Sequence, residues 1–202
     1  MNKILLITPF FYPHKGGSQQ YAEELHYHLM KQNPKVQVDV LCYNTDNVLP
    51  FEHYRGFNVY RIPAWNILPG QFALPNYIHL FKALRTLFKK NKYVAINSHT
   101  RFFDNSWWVP FVARWYNTKS ILTDHCANHP VHPSPIVTAV SKAVDTILVP
   151  LISRIYDAVT VTNSATYDFL KSLRVIRPII VYGGVDTDYF KPTPSQKTRT
   201  IE

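Results

Sequence analysis

Cysteine is nearly absent. The chain of 202 residues has Cys42 and Cys126, far apart and with no Cys-x-x-Cys pair. A disulfide framework and a cysteine zinc site are therefore not indicated, and a reducing, cytoplasmic setting is expected. Charge is sparse at 17% and tilted, with 13 acidic residues against 22 lysines and arginines, a net charge of +9. That tilt favours phosphates, nucleic acid or an anionic membrane surface without choosing among them. No basic-then-apolar leader precedes the first apolar run. The longest apolar run, Ile136 to Ile155, is interrupted by Lys142, Asp145 and Pro150 and reads as a poor membrane span. Repeats and low-complexity tracts are missing. With 46% hydrophobic residues, a disordered chain is excluded and a real core is expected.

Short apolar runs alternate with longer amphipathic ones. Strands are predicted at Lys3–Thr8, Val36–Tyr43, Phe57–Ile62, Tyr93–Ser98, Lys119–Thr123, Ala158–Thr162 and Pro178–Tyr182. Helices are predicted at Ser18–Lys31, Asn76–Lys90, Asp104–Tyr116, Ile136–Tyr156 and Ser164–Leu173. Several strands are rich in valine and isoleucine without polar alternation, as in strands covered on both faces. Such alternation of strand and helix predicts an α/β domain with a doubly wound, mostly parallel sheet over residues 1–190. The polar, proline-containing tail, residues 191–202, reads as a linker toward a missing domain. In parallel sheets ligands bind at the carboxyl ends of strands. Gly16-Gly17, His99 and His125 all follow predicted strand ends.

The opening strand runs through Pro9-Phe10-Phe11-Tyr12-Pro13-His14-Lys15 into Gly16-Gly17 and a helix. Unpaired N–H groups and the dipole at a helix start attract an anion, and two glycines let a phosphate approach the backbone. A plain tight turn is the alternative. His14 lies close to any phosphate bound there, whereas Lys15 reads as a solvated charge, and Glu23 and Glu24 as a solvated helix face. Arg101 either clamps a phosphate or pairs with a helix C-terminus or an acid such as Asp104. His99 is a second candidate for acceptor or phosphate binding. His125 either positions a hydroxyl or ties down a loop. His125, His129 and His132 invite a metal reading, but Pro130, Pro133 and Pro135 break any helix there, so no metal is expected. Two aromatic-basic stretches, His79 to Lys90 and Phe102 to Tyr116, read either as sheet-packed helices with solvated backs or as a lipid-binding surface.

Four segments in order resemble glycosyltransferase family 4, which has the two-domain GT-B fold: ITPFFYPHKGGSQQYAEEL (Ile7–Leu25), TDHCANH (Thr123–His129), YDAVTVTNSATYDFL (Tyr156–Leu170) and YGGVDTDYFKP (Tyr182–Pro192). Asn163-Ser164 stand where the family usually has Ser-Glu, and Tyr182-Gly183 where it usually has Pro-Asn. Asn163 can still cap a helix. The resemblance implies the Rossmann-like N-terminal, acceptor-binding half of a retaining transferase. The donor is a nucleotide diphosphate sugar, which is a substrate, so no resident cofactor is expected. The acceptor is a glycan or a lipid-linked molecule, in cell-surface polysaccharide or glycolipid synthesis. The resemblance also places Gly16 and Gly17 beside the donor diphosphate and turns His125 toward the reacting sugar. The missing half carries most of the donor site. Peripheral contact with the inner face of an anionic membrane is a further expectation. Two other readings are a non-catalytic binding component of a split enzyme and a nucleic-acid binder. The second is disfavoured because the basic residues are dispersed and no nucleic-acid module occurs.

Overall fold

The computed structural model describes residues 2–184 and residue 191. Its strands are β1 (Asn2–Thr8), β2 (Val36–Tyr43), β3 (Phe51–Tyr54), β4 (Phe57–Ile62), β5 (Ala64–Leu68), β6 (Phe72–Pro75), β7 (Tyr93–His99), β8 (Lys119–Asp124), β9 (Ala158–Val161) and β10 (Ile179–Ile180). Eight of them form a central sheet in the order β10-β9-β8-β7-β1-β2-β4-β3. All neighbours in it pair in parallel except β3 with β4. The other two, β5 and β6, make a separate antiparallel hairpin after β4. Six α-helices cover the sheet: α1 (Gly17–Gln32), α2 (Tyr77–Lys90), α3 (Asn105–Trp115), α4 (Pro135–Ala143), α5 (Val149–Ser153) and α6 (Ser164–Ser172).

The central strands lack polar alternation because both of their faces are buried. In β1, Leu5 and Ile7 enter a core with Leu80 and Leu84 of α2 and Val109 of α3. Leu6 between them points to the other face, with Ala22 of α1 and Val38 and Val40 of β2. One strand thus serves two cores, as period-two geometry requires.

The predicted parallel α/β order holds over the described residues, and the predicted strand and helix centres match. Asn163 caps α6 by accepting the Thr166 N–H at 2.8 Å, and Asn76 caps α2 through the His79 N–H. Three differences have physical reasons. β3 and the β5–β6 hairpin escape a pattern reading because Phe51–Tyr54 and Ala64–Leu68 are short and lie at sheet edges, where half-exposed strands carry little pattern. The predicted helix Ile136–Tyr156 ends at Ser153 and contains a π turn, Val144–Leu148, between α4 and α5. Pro150 follows that turn, and a residue without an N–H favours a local change of hydrogen-bond ladder. The last strand is two residues long instead of the predicted Pro178–Tyr182. The predicted linker, apart from Lys191, and most of YGGVDTDYFKP lie outside the described residues.

Candidate functional site

β7 lies between β1 and β8, and the chain winds away from this point in both directions: α1 leads from β1 to β2, and α3 leads from β7 to β8. Such a reversal opens a crevice at the carboxyl ends of the strands. Four predicted residues follow strand ends on this side of the sheet. β1 delivers the loop that ends at Gly16-Gly17, β7 ends on His99, and β8 delivers His125 one residue past its last position.

Gly16 is the N-cap of α1, with extended backbone (φ −167°), and Gly17 is the first helical residue. A Cβ on Gly17 would meet nothing within 4 Å, so the protein leaves that face open. A Cβ on Gly16 would collide with the side chain of Gln19, which folds back over the turn. The N–H groups of the first helical turn have no side-chain cap, and the space beside Gly17 is open. His14 stays on the opening loop, its ring stacked on Phe10 at 4.5 Å and its Nδ1 3.9 Å from Asp46.

His99 and His125 form a relay whose protons can be placed. Asn97 donates through Nδ2 to the Ile121 carbonyl at 3.0 Å and to Thr123 Oγ1 at 3.1 Å. Its Oδ1 therefore faces His99 Nε2, 2.9 Å away, so His99 carries its proton on Nε2. His99 Nδ1 is left to accept from His125 Nε2–H at 3.0 Å. A neutral His125 then has its lone pair on Nδ1, which has no hydrogen-bond partner among the described residues. Burial pushes His99 well below the usual imidazole range, helped by His26 and His125 nearby. Burial also lowers His125, partly opposed by the Asp124 charge. Both rings are thus neutral near pH 7. Tyr21 of α1 closes the site, its ring set edge-on to His125 at 4.8 Å. Gly183 lies beside Tyr21, where a Cβ would stand 3.2 Å from the ring.

Burial lowers His26, His99 and His125 alike, with the carbonyl contact of His26 opposing. The unfolded chain, with ordinary imidazoles near pH 6.5, takes up protons that the native state refuses. Stability is therefore expected to fall as pH drops below that value, by up to about 1.4 kcal/mol per pH unit for each fully buried ring. Urea unfolding between about pH 7 and pH 5 reads the slope. A flat profile would mean that the rings charge freely in the folded protein.

Arg101 is a correction to the sequence reading. It is 1% exposed, and all five of its N–H donors are taken. Nε and one terminal nitrogen bind Asp145, at 3.0 and 3.2 Å. The other terminal nitrogen binds Asp124 and the Cys126 carbonyl, and the Asn128 carbonyl accepts at 2.9 Å. No donor remains for a phosphate, so the clamp role falls away. The alternative reading, an arginine paired with an acid, matches the structure, with Asp124 and Asp145 as the acids in place of Asp104. Asp104 instead receives Tyr43 Oη at 2.9 Å and Trp108 Nε1 at 3.0 Å, and burial lifts its carboxyl to about 6. Arg101 lies under the loop that presents His125, and Asp145 also binds His129 Nδ1 at 2.8 Å. The three clustered histidines diverge: His125 turns to His99, His129 to Asp145, and His132 accepts the Ser134 N–H at 3.0 Å. Among the described residues no group of three or more histidine, cysteine or acidic side chains could hold a metal. Tyr21, Asn97 and Asp145 are site residues that sequence reasoning misses. Of these, Asn97 alone carries a visible signal, two residues before His99 on one strand face.

A family model, Glycosyltransferase Family 4, matches residues 15–189. The chain is 24% identical over 124 residues to one component of human phosphatidylinositol N-acetylglucosaminyltransferase, covering 61% of this chain and 25% of that protein. It is 27% identical over 107 residues to an uncharacterized glycosyltransferase of Methanocaldococcus jannaschii, covering 52% of this chain and 26% of that one. The chain thus spans about a quarter of the length of these relatives. Among solved structures, HepE of Anabaena in complex with UDP-glucose superposes with a TM-score of 0.56 at 16% identity, covering 96% of this chain and 47% of that one.

Proposed function

The chain belongs to glycosyltransferase family 4, and from that premise we propose that it forms the acceptor-binding half of a transferase. The transferase moves a sugar, with retention, from a nucleotide diphosphate to a glycan or lipid-linked acceptor. The observation that carries this reading is the seating of His125. Its Nδ1 has no partner among the described residues, and Tyr21 of α1, the helix that opens at Gly17, sets its ring edge-on to His125 at 4.8 Å. The helix N–H groups and dipole offset charge growing on the departing diphosphate. Neutral His125 accepts a hydrogen bond from a sugar or acceptor hydroxyl and holds it for transfer. Asn97 and His99 act through His125 by fixing its tautomer, and Arg101 acts by holding its loop.

The Anabaena protein solved with UDP-glucose supports a nucleotide-sugar donor. The human relative, named for transfer to phosphatidylinositol, favours a lipid-linked acceptor over a free glycan. In this reading the donor is a substrate and no resident cofactor takes part.

The test is donor binding and sugar transfer by the full-length protein against a panel of nucleotide sugars, with Gly17→Ala as the discriminating variant. A Cβ at residue 17 meets nothing in the protein, so stability stays level or rises slightly. In the bound state it stands where the diphosphate approaches. Losing one charge-assisted hydrogen bond, about 1.5–3 kcal/mol, weakens donor binding on the order of ten- to a hundredfold. Unchanged donor affinity in that variant would reduce Gly16-Gly17 to a plain turn.

A further inference from the structure

Between residues 53 and 156 the carboxylates are Asp104, Asp124 and Asp145, and all three are buried. Across that half of the chain no acidic side chain reaches the surface. The surface acids of the first half, half-buried Glu24 and exposed Asp46 among them, belong to α1 and the loop after β2, on the other side of the sheet or at its edge. Arg55, at the start of this stretch, reaches back to Glu23 and Glu24. In contrast Lys82, Arg85, Lys89 and Lys90 of α2, Arg114 of α3 and Arg154 after α5 are exposed and make no ion pair among the described residues. Beyond this stretch Asp157, paired with Lys119, and Asp168 of α6 are exposed, so it is the outward charge of α2, α3 and α4–α5 that is wholly basic.

Large apolar side chains share this side. Ile78 and Phe81 of α2 are 79% and 60% exposed, and Trp115 of α3 is 83% exposed. Phe111 of α3 and Ile147 and Leu151 near α5 are more than half exposed. The helices that carry them form one layer: Phe88 of α2 stacks on Tyr116 after α3 at 3.9 Å, and α5 packs beside α3 over the same core. The α4–α5 rod sets Val149 into the core but leaves much of its apolar surface outside. Its inward residues include Ser141, Asp145 and Ser153, while Ile136, Val140, Ile147 and Leu151 face outward. By length and composition alone, Pro135–Ser153 could cross a membrane. The ion pair from Asp145 to Arg101 holds it against the domain instead.

We propose that the outer face of α2, α3 and α4–α5 docks on an anionic lipid bilayer, with Ile78, Phe81 and Trp115 entering the headgroup boundary and the unpaired cations meeting lipid phosphates. Apolar side chains interleaved with lysine and arginine suit a bilayer interface. Nucleic acid would use the cations but leave the exposed aliphatic and aromatic groups wet, and a second copy of this face would bring like charges together. The proposal deepens the lipid-acceptor reading and rests on it for the partner; the surface itself is read from the residues.

The experiment is co-sedimentation of the full-length protein with vesicles of phosphatidylcholine alone and of phosphatidylcholine with phosphatidylglycerol, at low and high salt. The protein is expected to bind the anionic vesicles, to release in salt and to leave neutral vesicles largely unbound. The double variant Lys82→Gln/Arg85→Gln is expected to bind about 30-fold more weakly. Phe81→Ser/Trp115→Ser is also expected to lose binding. All four positions are exposed, and circular dichroism checks that each variant keeps the fold. Absence of sedimentation at low salt, or binding that neither variant changes, overturns the proposal. So does an RNA or DNA shift that Lys82→Gln/Arg85→Gln abolishes while vesicles stay unbound. A dimer in lipid-free buffer that Phe81→Ser/Trp115→Ser dissolves also overturns it in favour of self-association. Sugar transfer measured in parallel in detergent separates the two readings. Lost docking with intact transfer removes the membrane face alone, and docking without transfer removes the enzyme reading alone.

Discussion

Arg101→Met is expected to be the most damaging single substitution in the described domain, costing about 3–5 kcal/mol of stability, the usual penalty for removing one partner of a buried ion pair. For a domain of this size that is a fall of roughly 6–20 °C in melting temperature. Methionine fills much of the same space, so the loss would come from charge and hydrogen bonding and not from a cavity. It leaves Asp124 and Asp145 buried without their cation and frees the Cys126 and Asn128 carbonyls. Arg101→Lys should fall between, because an ammonium has three donors for five positions and cannot span both carboxylates. Thermal and urea unfolding measure both variants. Donor affinity makes the experiment decisive. A phosphate ligand would show weaker donor binding at an unchanged melting temperature, and that pattern would restore the clamp role.

His125→Ala is expected to behave in the opposite way. Positioned proton transfer and hydroxyl orientation contribute about a hundred- to ten-thousandfold to a rate, so turnover of the full-length protein should drop by that order while the fold survives. The residue is half-buried, and loss of its ring frees only His99 Nδ1. Asn97→Asp and His99→Gln test the relay behind it. Each disturbs the proton order that leaves His125 Nδ1 as an acceptor, so kcat should fall more than KM rises, and the pH profile of turnover should shift. A lower melting temperature with unaltered turnover would make His125 a loop tie.

The fold is largely legible in the order of residues, and the reason is burial. Strands such as Val36–Tyr43 are covered on both faces, so they read as unbroken apolar runs between turns. Edge strands such as Phe51–Tyr54 have one wet side and four residues, too little for a pattern. The site is legible in part. His99 and His125 follow strand ends, and parallel sheets put such positions together. Arg101 follows a strand end too, yet the same position says nothing about which way a side chain turns. Whether it faces the crevice or the floor beneath it depends on Asp145, forty-four residues later and delivered by a π turn that no periodicity announces. Pairings across such distances are fixed by packing, and packing is what a linear pattern does not contain.

The central place of β1 has a consequence during synthesis. Its register joins Lys3 to Gln37 on one side and to Tyr93 on the other. Translation at about 5–20 residues per second puts roughly 5–20 seconds between the emergence of β1 and that of β7. For that interval one edge of an apolar strand at the sheet's centre is unpaired. The nascent chain is then open to strand addition by a neighbour on the same message. Ribosome-associated chaperones that shield the segment from β1 to β7 should therefore raise the yield of folded protein more than helpers that act after release.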